Sequence, residues 1–371
     1  MINHSDLTPR LSKNRILWID TAKAIGIFLV FYGHVLEPLI KFNSTAFLQF
    51  KFVNSFHMPF FFFVSGFFLK KSDKPFIRIK SLFLRRIIPV FSFGVLILPF
   101  WIGKELFFTI TPDWEKLAHN ALHYIKGNPD LNVITWFLVC LFMAEILALF
   151  IKGIFKSDIA IIIIGIASLL FGLFTCKHMY FVTRVTHIPK NFWYVHESLV
   201  ALGFYLIGYF LYPRIRKLQL SNLKLTIFTL LFCLILVLTF NLNKPYEGFF
   251  MSMYDSNHGD FLWFFIPAFT GTFLLIFLSQ IIPSNKALLF FGQNTLLLLG
   301  LNGIFHHFIN NKIVAIYPAD MNIFLFTACC VLITYLSLIF CYYPIILINK
   351  YFPQLFGKPN LKGPIFSNFE K

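Results

Sequence analysis

The sequence predicts an all-α, polytopic integral membrane protein of about ten transmembrane helices with both termini cytoplasmic. Three observations predict it. Hydrophobic residues make up 58% of the chain and charged residues 13%, against about 45–50% and about 25% in soluble domains. Mean hydropathy is +0.74. Apolar runs at 15–39, 55–69, 88–110, 132–151, 159–175, 194–212, 225–242, 261–282, 288–310 and 322–349 each come near the roughly 20 residues that cross a bilayer core as a helix. With the N-terminus inside, the inner segments hold 21 Lys and Arg and the outer loops 10, the bias expected of cytoplasmic loops.

That bias also accounts for the net charge of +16. In a soluble protein such a charge would point to nucleic acid; here no nucleic-acid partner is expected. The 52 Phe suit lipid-facing and inter-helix packing. The six Cys show no paired metal-ligand spacing, and Cys140, Cys233, Cys329, Cys330 and Cys341, lying in apolar runs, read as small core residues, so no metal is expected. The chain divides into a cytoplasmic segment at 1–14, a transmembrane domain at 15–349 and a cytoplasmic tail at 350–371.

The first run, RILWIDTAKAIGIFLVFYGHVLEPL, carries Asp20, Lys23, His34 and Glu37. It is too long for a signal-peptide core and lacks a small-residue cleavage site, so it is expected to stay in the mature chain. Ionisable groups at membrane depth are costly unless they face a protein interior or a cavity, and they mark function. Asp20, Lys23 and His34 fall on one stripe of a helix, with Lys23 about 16 Å from His34 along the axis. The alternative is a helix whose polar groups only satisfy one another or a neighbour.

Residues 55–69 return across the membrane with His57, Pro59 and a Ser65-Gly66 pair, so a kink or re-entrant shape is expected. The stretch 70–86 is the most basic, with Lys70, Lys71, Lys74, Arg78, Lys80, Arg85 and Arg86. It reads equally as a topogenic loop touching anionic lipid and as a phosphate-binding face. In later runs the polar residues are Glu145, His196, Glu197, Asn302, His306 and His307, which bond neighbouring helices more often than they catalyse. The loop at 243–260 is polar enough to touch a hydrophilic substrate.

No glycine-rich phosphate loop, HExxH or G-x-S-x-G is present. One buried histidine, a basic cytoplasmic face and a polar stripe between them remain. A neutral imidazole can act as general base on a hydroxyl, which describes acyl transfer to an alcohol. Proton-coupled transporters use the same residue types. Two rival classes therefore stand: a flippase or transporter of lipid-linked oligosaccharide, and a non-enzymatic partner in a polysaccharide export complex. A flippase should spread its charges over many spans, and a partner protein has no need of a buried stripe.

WIDTAKAIGIFLVFYGH, then FHMPFFFFVSGFF, then a basic stretch ending RRIIP, resembles the membrane acyltransferase-3 family. The branch most similar is the fucose 4-O-acetylase-like group, which O-acetylates cell-surface and exopolysaccharide sugars. WFLVCLFMAEIL, ESLVALGFYLIGYFL and FGQNTLLLLGLNGIF extend the resemblance over nearly the whole chain. It implies a basic residue eleven positions before an essential histidine, matched by Lys23 and His34. It also implies an Arg-x-x-Arg motif, from which this chain departs: Arg86 fits the second position, Phe83 stands at the first, and Arg85 or Arg78 is left to replace it. The implied chemistry moves acetyl from cytoplasmic acetyl-CoA, as co-substrate, to a hydroxyl of a glycan or lipid-linked glycan at the cell membrane. His34 is then the general base, with Asp20 beside it as a catalytic candidate that positions the donor. Lys23, Arg78, Arg85 and Arg86 are donor contacts, and His57, Glu197 and Asn302 are acceptor contacts.

Overall fold

The computed structural model describes residues 15–72, 74–248, 250–314 and 321–370; the expected cytoplasmic segment at 1–14, with Arg10 and Lys13, lies outside them. Among the described residues the chain is helical, with one isolated bridge between Ser252 and Asn257 and no strand. The helices are α1 (Leu17–Leu36), α2 (Ser44–Asn54), α3 (His57–Gly66), α4 (Pro75–Phe108), α5 (Trp114–Leu122), α6 (Trp136–Ile154), α7 (Asp158–Lys177) and α8 (Met179–Thr186). After them come α9 (Val195–Lys217), α10 (Asn222–Thr239), α11 (Phe261–Ile281), α12 (Lys286–Gln293), α13 (Thr295–Ile304), α14 (Asn310–Ile313), α15 (Ile323–Phe340) and α16 (Tyr342–Tyr351). Their starts are written locally. Asn43, Asp113, Ser157, Ser221, Asn285 and Asn322 each accept a backbone N–H of the following first turn. Pro75 opens α4 where its missing donor costs nothing.

Eight helical stretches among the described residues are long and apolar enough to cross a membrane, and nine if α12 with α13–α14, bent by 76°, is one broken span. These nine coincide with nine of the ten expected runs. The tenth, 55–69, differs. Its helix α3 has 10 residues, about 15 Å or half the bilayer core. A turn at Ser55–Phe56 and Pro59 near the start cut it short. α3 is enclosed by protein: Phe60, Phe62 and Phe63 are fully buried, and it packs on α9, α11 and α1. Irregular backbone at membrane depth is tolerated in such a setting. A second difference lies at 70–86. From Pro75 this basic stretch is not a loop but the first turns of the 34-residue α4, because Arg, Lys and Leu are good helix formers and nothing interrupts them.

Two glycine contacts show how closely the core packs. A Cβ on Gly66 would lie 1.9 Å from the Tyr205 carbonyl, and one on Gly208 would lie 2.0 Å from the Phe63 carbonyl, so α3 and α9 touch backbone to backbone. α1 is the central helix and is mostly buried, whereas α10 is mostly exposed. α10 packs on α11 and turns the rest of its surface outward, as a lipid-facing helix does. α1 packs against α2, α3, α11, α12, α13 and α15, so every group on its stripe meets protein.

Candidate active site

At one end of α1, Asp20 pairs with both neighbouring cations. Arg15 reaches it with Nε and Nη2, and Lys23 Nζ lies 3.1 Å from Oδ1. At the other end, His34 Nδ1 lies 2.9 Å from Glu37 Oε2, one turn on. The same carboxylate oxygen lies 3.3 Å from His306 Nδ1. His306 belongs to a π-turn, Phe305–Ile309, that joins α13 to α14; such turns are rare and recur at functional sites. The rings of His34 and His306 stand edge to face with centroids 4.9 Å apart, and Asn310 Nδ2 donates to the His34 carbonyl at 2.8 Å.

This arrangement sets tautomers. A carboxylate accepts, so each neutral imidazole presents Nδ1–H to Glu37 and keeps Nε2 as its free lone pair. The three ligand atoms also lie within 4.8 Å of one another, a spacing that could hold a divalent cation.

His34, Glu37 and His306 line a cavity of about 270 Å³ together with His57, Trp136 and Tyr254. His57 donates Nδ1–H to the Val53 carbonyl at 2.9 Å. Burial, with Asp130 and Asp255 nearby, pushes the Tyr254 hydroxyl up to about 12, so it stays a neutral donor. A second cavity of about 160 Å³ adjoins the first, lined by Lys23, Ser65, Arg86 and Thr295 among others. Val30, Met58 and Leu299 border both. The two chambers thus run along α1 from Lys23 to His34, with an apolar partition between them. A third, wider cleft of about 730 Å³ is basic, with Lys74, Arg78, Lys80 and Arg85. Its acid is Glu370, whose carboxylate takes Arg85 Nη2 at 2.9 and 3.1 Å and the Ser81 hydroxyl at 2.7 Å. Burial works against that carboxyl, but the Ser81 and Arg85 hydrogen bonds hold it below its ordinary value.

Set against the expectations, His34 and His57 meet in one cavity and Lys23 and Arg86 in the other, while Arg78 and Arg85 share the basic cleft. Four of the expected site residues do not line the His34 cavity. Asp20 lies 14 positions before His34, about 21 Å along the helix. Its carboxylate pairs with Arg15 and Lys23. Arg86 spends its Nε and Nη2 on Glu145, both at 2.8 Å; that bidentate fork is taken, leaving only its charge and remaining N–H for a ligand. Glu197 is 1% exposed and bonds His258 at 3.0 Å, and it lines neither chamber. Asn302, fully buried on α13, lines neither as well. Glu37 and His306 were missing from the expected set. Both had a signal: Glu37 lies one turn beyond His34 on the same face, and His306 is one of the few polar residues inside a later apolar run.

No curated protein and no solved structure matches this chain. A family model described as an acyltransferase domain matches residues 16–342, from the start of α1 into α16. Both chambers and all three histidines of the cavity lie inside that match, and the chain belongs to the acyltransferase-3 family of membrane acyltransferases.

Proposed function

We propose that the enzyme moves acetyl from cytoplasmic acetyl-CoA to a hydroxyl of a cell-surface or exopolysaccharide sugar, with His34 as general base. The observation that carries this is the His34–Glu37 pair at the wall of a cavity that adjoins the Lys23 chamber. The donor's phosphates would rest on the basic cleft of α4, near Arg78 and Arg85. Its arm would pass Lys23 and the Val30, Met58 and Leu299 partition, and its thioester would reach His34. His34 Nε2 takes the acceptor's hydroxyl proton as that oxygen bonds to the thioester carbon, while the Glu37 carboxylate steadies the imidazolium. Collapse of the tetrahedral intermediate breaks the C–S bond, and the departing thiolate receives the proton from Nε2. His57 and Tyr254 offer polar contacts to the acceptor.

The sidedness follows the 21-to-10 charge bias, with the basic cleft in the cytoplasm and the His34 cavity toward the far face of a plasma or inner membrane. The test is transfer of radiolabelled acetyl from acetyl-CoA to a glycan fraction by purified protein. Wild type should transfer label, and His34→Ala should not while keeping its thermal stability. Most of the turnover surviving in His34→Ala would make that histidine structural.

A further inference from the structure

A second group of ligating side chains sits apart from both chambers. Cys176 ends α7, Glu197 opens α9, and His258 comes from the 243–260 loop. One ligand atom from each lies within 4.8 Å of the others. The residues are 4%, 1% and 0% exposed, so all three are sealed from solvent and from the His34 cavity.

Hydrogen bonding alone serves this trio poorly. His258 Nε2 lies 3.0 Å from Glu197 Oε1, but the Cys176 thiol reaches the other carboxylate oxygen only at 3.8 Å. His258 Nδ1 is buried with no partner. A carboxylate removed this far from water needs compensating charge.

The backbone is bent to bring these groups together. Among the described residues, three of the four non-glycine residues with positive φ flank the trio: Trp193 and Tyr194 just before α9, and Ser256 two residues before His258. Such conformations persist where surrounding structure over-determines them. Asn243 then clamps the loop, donating Nδ2–H to the His258 carbonyl at 2.7 Å and accepting from Asp260 N at 2.9 Å. A Cβ on Gly259, itself at φ 73°, would lie 2.2 Å from the Asn243 side chain. His258 has little freedom to turn away.

We propose that Cys176, Glu197 and His258 bind one zinc ion that pins the 243–260 loop to α7 and α9. A thiolate, an imidazole and a carboxylate are the donor types Zn²⁺ takes in tetrahedral sites, and its charge offsets both anions. The consequence reaches the other site through the loop, because Met251, Ser252, Met253, Tyr254 and Asp255 line the His34 cavity. The proposal does not depend on which acyl group or acceptor is used.

The test is elemental analysis of full-length protein purified without chelator, beside Cys176→Ala and His34→Ala. About one zinc per chain is expected in wild type and His34→Ala, and under a tenth of that in Cys176→Ala. Chelator-stripped wild type should gain thermal stability on adding Zn²⁺ alone, and Cys176→Ala should not. Two results would overturn the assignment: metal-free wild type with no thermal response to Zn²⁺, or zinc lost with His34→Ala and kept in Cys176→Ala. Because Cys176→Ala removes only a thiol, it remains informative if a His258 variant does not fold.

Discussion

Glu37→Gln isolates the carboxylate that both cavity imidazoles share. The change keeps size and removes charge. One carboxylate oxygen lies 2.9 Å from His34 Nδ1 and 3.3 Å from His306 Nδ1. A glutamine cannot present a charged acceptor to both rings, and its amide N–H₂ can drive His34 into the other tautomer, with its proton on Nε2. Hydrogen bonds to charged groups are worth about 1.5–3 kcal/mol, and about 1.36 kcal/mol is a factor of ten in rate. The Glu37 side chain is 38% exposed, so water screens it and the lower half of that range applies. The expected loss in kcat is about ten- to fifty-fold, well short of the loss in His34→Ala. The assay is steady-state acetyl transfer with donor and acceptor varied separately, beside a thermal melt. Donor KM and melting temperature should move little, since Glu37 touches neither Lys23 nor the core. A wild-type kcat in Glu37→Gln would refute the reasoning, because His34 would then need no carboxylate to fix its tautomer.

Three further outcomes are expected. Gly66→Ala forces a methyl into the Tyr205 carbonyl and should cost about 1–3 kcal/mol or more as over-packing, whereas Gly103→Ala meets nothing within 4 Å and should be neutral or stabilising by about 0.5–1 kcal/mol; thermal melts separate the two. Burial, with Arg15 nearby, drops the Lys358 ammonium to about 8 from an ordinary 10.5. The unfolded chain therefore holds the extra proton between those values, and stability should rise with pH across that window, a rise that melts of Lys358→Met should lack. Arg85 Nε and Nη2 are engaged by Glu370, so Glu370→Gln should lower the acetyl-CoA KM by freeing that fork, and adding Arg85→Lys to it should raise the KM about ten-fold by removing the bidentate contact. An unchanged KM in both variants would send the phosphate site elsewhere. Arg86→Lys is a poor substitute, because it breaks the pair with Glu145.

Much of this was legible along the chain. The 3.6-residue period put Lys23 and His34 on one stripe, and α1 proved to be the buried centre of the bundle. Apolar runs marked nine spans because length and hydropathy are local properties. What escaped depends on partners far away in sequence. α3 reads as a span by composition, and its shortness and its enclosure by α1, α9 and α11 depend on neighbours that periodicity does not show. Glu197 looked like an acceptor contact near a helix start until His258 and Cys176 closed around it. Arg86 looked free in a basic run, yet its partner Glu145 lies 59 positions on.

That distance has a bearing on biogenesis. At about 5–20 residues per second, ribosomal synthesis delivers Glu145 roughly 3 to 12 seconds after Arg86. A lone charge in hydrocarbon is penalised meanwhile. Arg86 sits near the basic end of α4 and has a long side chain, so it can reach interfacial water while it waits. Glu145, midway along α6 on a short side chain, has no such refuge, but it enters with its partner already waiting. The chain thus makes first the half of the pair that can wait at the interface, and the exchanged order would leave the less adaptable charge exposed to lipid.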